Sequence, residues 1–395
     1  MLAQQDLLAI LQDWSFWDTK TIPGLLRECA LPERLHADLV LIIQGVRRCG
    51  KSTLLAQLPA RYQLDRADCY YCNFEDPRLL GVLDYRLLSQ IVTLARQKTP
   101  ADRACYFFFD EIQTVQGWEK WLHTQLERPK NNYFVVTGSN AALLSGEFGT
   151  TLTGRHFTFE LFPFSLGEYQ KLLPGNTFED YLNIGGFPRA LTFEQPYQLL
   201  QEYFQDIILR DVVRRVHART PEAIKHVAKM AIESCGLELS YRKIAVATDL
   251  TVDTVKSYLE ACEQAYLLFA CPFFDFSEKK RALKQKKYYP IDLGLRYAVT
   301  GTQGRDLGKS LELLVFLKLK HFYKQIFYWQ HVHQGAVDFV VMQGPIIIPY
   351  LVSWEGPTAR HTRVLEHFYQ AYPDASRAIL ISRENIEAFL AGGLV

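Results

Sequence analysis

Residues 39–58 read LVLIIQGVRRCGKSTLLAQL. The run up to Gln44 is apolar and β-branched, as a buried strand requires. Gly45-Val46-Arg47-Arg48-Cys49-Gly50-Lys51-Ser52 then fits G-x-x-x-x-G-K-[ST], and Thr53 continues into a helical pattern. Glycines at both ends of such a loop let the backbone wrap tightly and aim its N–H groups at phosphate oxygens. The helix that follows adds the positive end of its dipole. This spacing predicts a nucleoside triphosphate site lined by residues 45–53, with Lys51 reaching the β- and γ-phosphates and Ser52 holding Mg²⁺.

A second signature lies downstream, in CYFFFDEIQ at 105–113. Asp110 ends an apolar strand, where it can join the Mg²⁺ shell. Glu111 follows directly, which suits a general base that orients the attacking water and favours hydrolysis over transfer to a small molecule. FVVTGSN at 134–140 ends another strand in Ser139 and Asn140. Asn140 is a candidate contact for the γ-phosphate or the water, with a helix cap as the alternative. Arg155, just before HFTFELFPF, is a candidate arginine finger for a neighbouring chain's nucleotide, which implies a homo-oligomer. Arg47 and Arg48 have three alternatives: phosphate, a carboxylate such as Glu75, or solvent.

The rest of the composition narrows the setting. A length of 395 residues suggests two or three domains, and 48% hydrophobic residues suffice for their cores. A net charge of +1 means that any surface for nucleic acid must be local. The eight cysteines form no disulfide framework. Cys69 and Cys72 make a C-x-x-C, but in a strand-like run side chains three apart diverge, so packing is expected over zinc or redox chemistry. The N-terminus has no basic start and no small-residue cleavage site. No apolar run approaches the roughly 18 residues of a membrane span. The expectation is a cytoplasmic protein that does not enter membranes.

Strand-like runs alternate with helical stretches at 51–58, 84–97 and 118–127. That alternation predicts an α/β fold with a mostly parallel sheet covered on both faces. Residues 176–235 read as helical, broken at NIGGFPRA. Residues 240–269 read as helix, turn, helix and strand, the pattern of a winged helix-turn-helix. Ser240 can cap the first helix, and Thr251 or Asp253 the second. Val255, Tyr258, Leu259 and Cys262 form the apolar face of the second helix, and Lys256, Ser257, Glu260 and Glu263 its exposed side. Residues 210–290 hold 15 Lys and Arg against 10 Asp and Glu, with six bases packed into 279–287. Residues 240–287 are thus a candidate footprint for double-stranded DNA. The alternative is a protein-interaction module with a solvated basic loop.

The tail carries Glu312 on a helix, Asp338 on a strand and then a partner strand, the layout of restriction-type nuclease folds. At Leu351 and Ser353, where such sites place Glu and Lys, the third acid and the lysine are missing. A site without them binds Mg²⁺ weakly and cannot activate water. The expectation is a degenerate nuclease-like fold kept for binding, with a protein partner as its candidate ligand.

The whole pattern resembles the prokaryotic AAA-type ATPases. The resemblance rests on GVRRCGKSTLL, YCNFEDPRL, FFFDEIQTVQGWEKWL, VVTGSNAALLSGE, LTGRHFTFELFPFSLGEY, YLNIGGFPRAL, DIILRDVVRR, TVKSYLEACEQAYLL, YYPIDLGLRYAV and LGKSLELLVFLKL. It implies a P-loop ATPase domain at 1–170, a helical winged-helix region at 171–278 and a nuclease-like α/β domain at 279–395, with ATP as the nucleotide. The departures fall in the tail, where the family's Glu-Val-Asp reads Ala336-Val337-Asp338 and its Ile-Glu-Val-Lys reads YLVS.

Overall fold

A computed structural model describes residues 2–15, 24–127, 131–139, 154–216, 220–301, 306–331, 333 and 335–392. The chain divides into two compact units, Met1–Phe162 and Pro163–Val395.

The first unit is built on five strands, β1 (Val40–Gln44), β2 (Cys69–Asn73), β3 (Cys105–Asp110), β4 (Asn132–Gly138) and β5 (His156–Glu160), in the order β2-β3-β4-β1-β5. All pairings are parallel. Every side chain of β1 is buried, as the uninterrupted apolar run requires. The described helices are α1 (Gln4–Asp13), α2 (Lys51–Arg61), α3 (Tyr85–Lys98) and α4 (Trp118–Glu127). The last three match the expected helical stretches closely. On one side of the sheet, Leu7, Ile10 and Leu11 of α1 join Leu88 and Ile91 of α3, Trp121 of α4 and Phe107 and Phe109 of β3 in a single core. Asp84 starts α3 by accepting from the Arg86 N–H, so a side-chain cap fixes where loop becomes helix. Cys69 and Cys72 are free and buried, as packing residues would be.

The second unit begins with short helices started by reciprocal capping boxes, Ser165 with Glu168 for α5 (Leu166–Leu172) and Thr177 with Asp180 for α6 (Phe178–Ile184). The break at NIGGFPRA has a buried counterpart in YYPIDLGLRYAV. Asp292 caps α7 (Leu293–Thr300) by accepting from Leu295 N–H at 2.9 Å, and also accepts from Gly186 N–H at 2.7 Å. Burial pushes this carboxyl up to about 6, against three backbone N–H groups that favour its charge.

Helices Tyr241–Thr248 and Val252–Gln264 are capped by Ser240 and Thr251, which settles the second cap in favour of the threonine. Val255, Leu259 and Cys262 are fully buried, and Tyr258 is half-buried. Glu263 departs from its expected exposed position. It is half-buried, and burial raises its carboxyl to about 7 with Lys286 opposing the shift. After these helices β6 (Leu268–Cys271) pairs antiparallel with β7 (Lys287–Pro290). The tail sheet has the order β11-β10-β9-β8, from β8 (Phe327–His331), β9 (Gly335–Gln343), β10 (Ile346–Val352) and β11 (Ile379–Ile381). KYYP at the start of the tail therefore pairs with β6 and not with the tail sheet.

Candidate nucleotide site

The phosphate loop leaves β1 with β4 on one side and β5 on the other. Gly45 passes so close to β5 that a Cβ there would stand 2.2 Å from the Leu161 carbonyl oxygen. Arg48 (φ 73°) and Gly50 (φ 101°) take left-handed backbone, which bends the loop so that successive N–H groups can converge. Arg27 braces the loop from outside, donating to the Cys49 carbonyl at 3.0 Å and to the Phe162 carbonyl at 2.8 Å. Val46 and Cys49 are buried, and burial raises the Cys49 thiol despite nearby Lys51 and Arg27. Arg47 pairs with Glu75 at 3.2 Å, one of its three expected alternatives, while Arg48 is exposed.

Lys51 is 5% exposed and curls over its own loop, donating to the carbonyls of Gly45 at 3.0 Å and Val46 at 3.2 Å. Its ammonium lies 3.8 Å from a Glu111 carboxylate oxygen. Asp110 is completely buried at the end of β3. Its two oxygens accept from Tyr71 OH at 2.6 Å and from the Thr137 hydroxyl. Thr137 also accepts from the Glu111 N–H at 3.0 Å. β4 lies between β3 and β1, so this threonine ties the acidic pair to the middle of the sheet. Glu111 has left-handed backbone (φ 56°), an uncommon conformation for a residue with a side chain. Its carboxylate accepts from Gln113, and burial raises its pKa while Lys51 lowers it. A carboxylate held between a lysine and an amide, with a raised pKa, can take a proton from water. The Ser52 hydroxyl and the Asp110 carboxylate are hard oxygen donors of the kind that Mg²⁺ selects, so the residues present fit that ion.

Ser139 is buried just beyond β4, and Asn140 lies outside the described residues. Arg155 precedes β5 and its carbonyl accepts from Val40 N–H, at the end of the strands away from the loop. At about 3.3 Å per residue the five-residue strand separates it from the loop by about 16 Å. It therefore does not line this chain's own phosphate loop. Tyr71, Thr137, Gln113 and Arg27 were not singled out from sequence. Thr137 had a signal, since it stands two residues before Ser139 in the same strand tip, but Tyr71 and Arg27 had none.

The second unit holds a separate buried cluster. Lys287, the last base of the run at 279–287, is 6% exposed, so it is not part of a solvated basic loop. Its ammonium lies 3.5 Å from Glu312, which also accepts from Tyr289 OH at 2.6 Å. Asp338 accepts from Val352 N–H at 2.7 Å, and burial first and then Glu312 raise its pKa. Lys287 thus provides near Glu312 and Asp338 an ammonium that β10 lacks. Among the described residues no group of three His, Cys, Asp or Glu could hold a metal ion, and no helix is long and apolar enough to cross a membrane.

A parallel sheet with a phosphate loop after β1 and an Asp-Glu pair after β3 defines a P-loop ATPase fold of AAA type. The family described as AAA domain matches residues 37–170, and a domain of unknown function matches 175–306. The chain is 30% identical to uncharacterized protein MJ1544 of Methanocaldococcus jannaschii over 310 residues, 73% of this chain and 68% of that one. It is 29% identical to an uncharacterized protein of Haemophilus influenzae over 82% of this chain and 84% of that one. The chain belongs to this family of AAA-domain proteins. Among solved structures it is similar to the Thermotoga maritima RuvB Holliday junction branch migration motor (TM-score 0.29, 14% identity, 67% of this chain and 87% of that one). It is also similar to the Aeropyrum pernix ORC1 protein in complex with DNA (TM-score 0.32, 13% identity, 76% and 92%).

Proposed function

We propose that this protein is a Mg²⁺-dependent ATPase that works as a switch or motor, with Glu111 as the base that orients water. The observation that carries the reading is the buried Lys51–Glu111 approach of 3.8 Å beside Asp110. When bound, Mg²⁺ would be held by Ser52 and Asp110 and would neutralise charge on the β- and γ-phosphates. The loop N–H groups and Lys51 orient the phosphates, and Glu111 accepts the proton of the attacking water. Thr53 and the helix N-terminus behind it complete the phosphate contacts. Asn140 and a neighbour's Arg155 are the proposed contacts to the γ-phosphate.

Two capped helices followed by β6, which pairs antiparallel with β7, support the winged-helix reading of residues 240–269, and with it contact of residues 240–287 to double-stranded DNA. Glu263 at about 7 is partly protonated at neutral pH, which weakens one of the two acids that would oppose phosphate. The test is ATP hydrolysis with and without double-stranded DNA at two salt concentrations, beside Lys51→Ala. Stimulation by DNA that fades with salt is expected. Hydrolysis indifferent to DNA would turn the reading to a protein partner, for which the tail is the proposed surface. Wild-type protein that binds but does not hydrolyse ATP would remove the role of Glu111. Mixing Lys51→Ala with Arg155→Ala chains tests the oligomer, because a finger acting between chains predicts recovered activity in the mixture.

One observation favours a second reading. Lys287 beside Glu312 and Asp338 restores a lysine to the nuclease-like layout, so cleavage of a phosphodiester in Mn²⁺ is worth an assay. Its loss in Asp338→Asn is the expected signature.

A further inference from the structure

Tyr71 stands on β2 beside one of the two residues that would hold the cation. Its hydroxyl donates to Asp110 at 2.6 Å. A phenol has one proton to give. That proton fixes one edge of the Asp110 carboxylate, while the Thr137 hydroxyl holds the other. The ring is 2% exposed and rests 6.0 Å from Trp14, whose Nε1 is anchored on Asp76 at 2.7 Å.

We propose that Tyr71 is a positioning residue for the divalent cation, holding Asp110 as a preset oxygen donor. This rests on the ATPase reading above. Without the phenol the carboxylate loses one of its two anchors, so it must be oriented when the cation arrives.

The test is Tyr71→Phe, which keeps the ring and removes only the hydroxyl that holds Asp110. Nucleotide binding is followed with a fluorescent ATP analogue while Mg²⁺ is titrated, and again in EDTA. Losing a hydrogen bond to a charged group is expected to raise the Mg²⁺ concentration at half-saturation about tenfold. Affinity in EDTA should stay within about twofold of wild type, which also shows that the variant folds. Mn²⁺ bound with the nucleotide should give an altered EPR spectrum, a readout that a merely structural role would not move. Half-saturation within about twofold of wild type would overturn the proposal, as would an equal loss of affinity in EDTA. Wild-type protein that binds no nucleotide at all would overturn the ATPase reading first, and that outcome is distinct from a failure of Tyr71 alone.

Discussion

Two lysines, Lys51 and Lys287, are each almost completely buried and each near an acidic pair, yet their settings differ. Lys51 donates to carbonyls of its own loop and stands 3.8 Å from Glu111. Lys287 lies 3.5 Å from Glu312, which is itself fixed by Tyr289. The first lysine is held by weak neutral acceptors that a phosphate can outcompete. The second is matched to a carboxylate. Charge held loosely in a phosphate-shaped loop is suited to a ligand, whereas charge neutralised inside a core first of all holds that core together.

The largest effect that would sharpen this contrast is kinetic. Glu111→Gln keeps the shape and the hydrogen-bonding capacity of the side chain but removes the proposed base. The turnover number should fall about 10³-fold, near the middle of what general base catalysis contributes. Binding of ATP in Mg²⁺ should be preserved or tightened. A stopped assay of phosphate release beside a binding isotherm separates the two. Turnover within tenfold of wild type would mean that another group orients the water.

The Lys287 cluster predicts a stability effect instead. Glu312→Gln leaves the ammonium without its closest counter-charge and should cost about 3 kcal/mol, at the low end for a broken buried pair because Asp338 is still near. The double change Lys287→Met with Glu312→Leu should recover most of that loss, since well-packed apolar residues can replace a buried pair. Chemical denaturation of the full chain reads both. If the double variant is as unstable as the single one, the cluster is doing something other than neutralising itself.

The same contrast explains what could be read from the sequence. The phosphate loop was legible because its chemistry comes from consecutive backbone groups, so spacing alone encodes it. The five parallel strands and three of the helices around them were legible for a similar reason, through apolar runs and caps that are local. The Asp110–Glu111 pair was readable because both acids terminate one apolar strand. Glu312 and Asp338 were legible together as a helix acid and a strand acid, but Lys287 comes from an element that pattern does not connect to them. A lysine in a run of six bases looked solvated, and only the β6–β7 pairing turned it inward. Tyr71 was hidden for another reason. Its hydroxyl reaches Asp110 from β2, and nothing in CYYCNF distinguishes a tyrosine that packs from one that holds a carboxylate.

The smallest predicted effect concerns Asp292, a fully buried acid whose partners are backbone N–H groups of Leu295 and Gly186. Its pKa of about 6 in the folded chain lies above the ordinary 3.8. Protonation therefore favours the folded state. The contribution is complete below the ordinary value and is lost as pH rises through the folded one. Between pH 5 and 7.5 linkage gives a loss of about 1.4 kcal/mol. That amounts to a fall of about 4 °C in Tm for a unit of this size. Asp292→Asn cannot ionise, so the difference in Tm between wild type and variant should change by that amount across the window while every other titrating group cancels. A pH-independent difference would mean that the three N–H groups offset burial completely, and the contact between NIGGFPRA and YYPIDLGLRYAV would then be held by a charge, as Lys287 and Glu312 are, and not by a neutral acid.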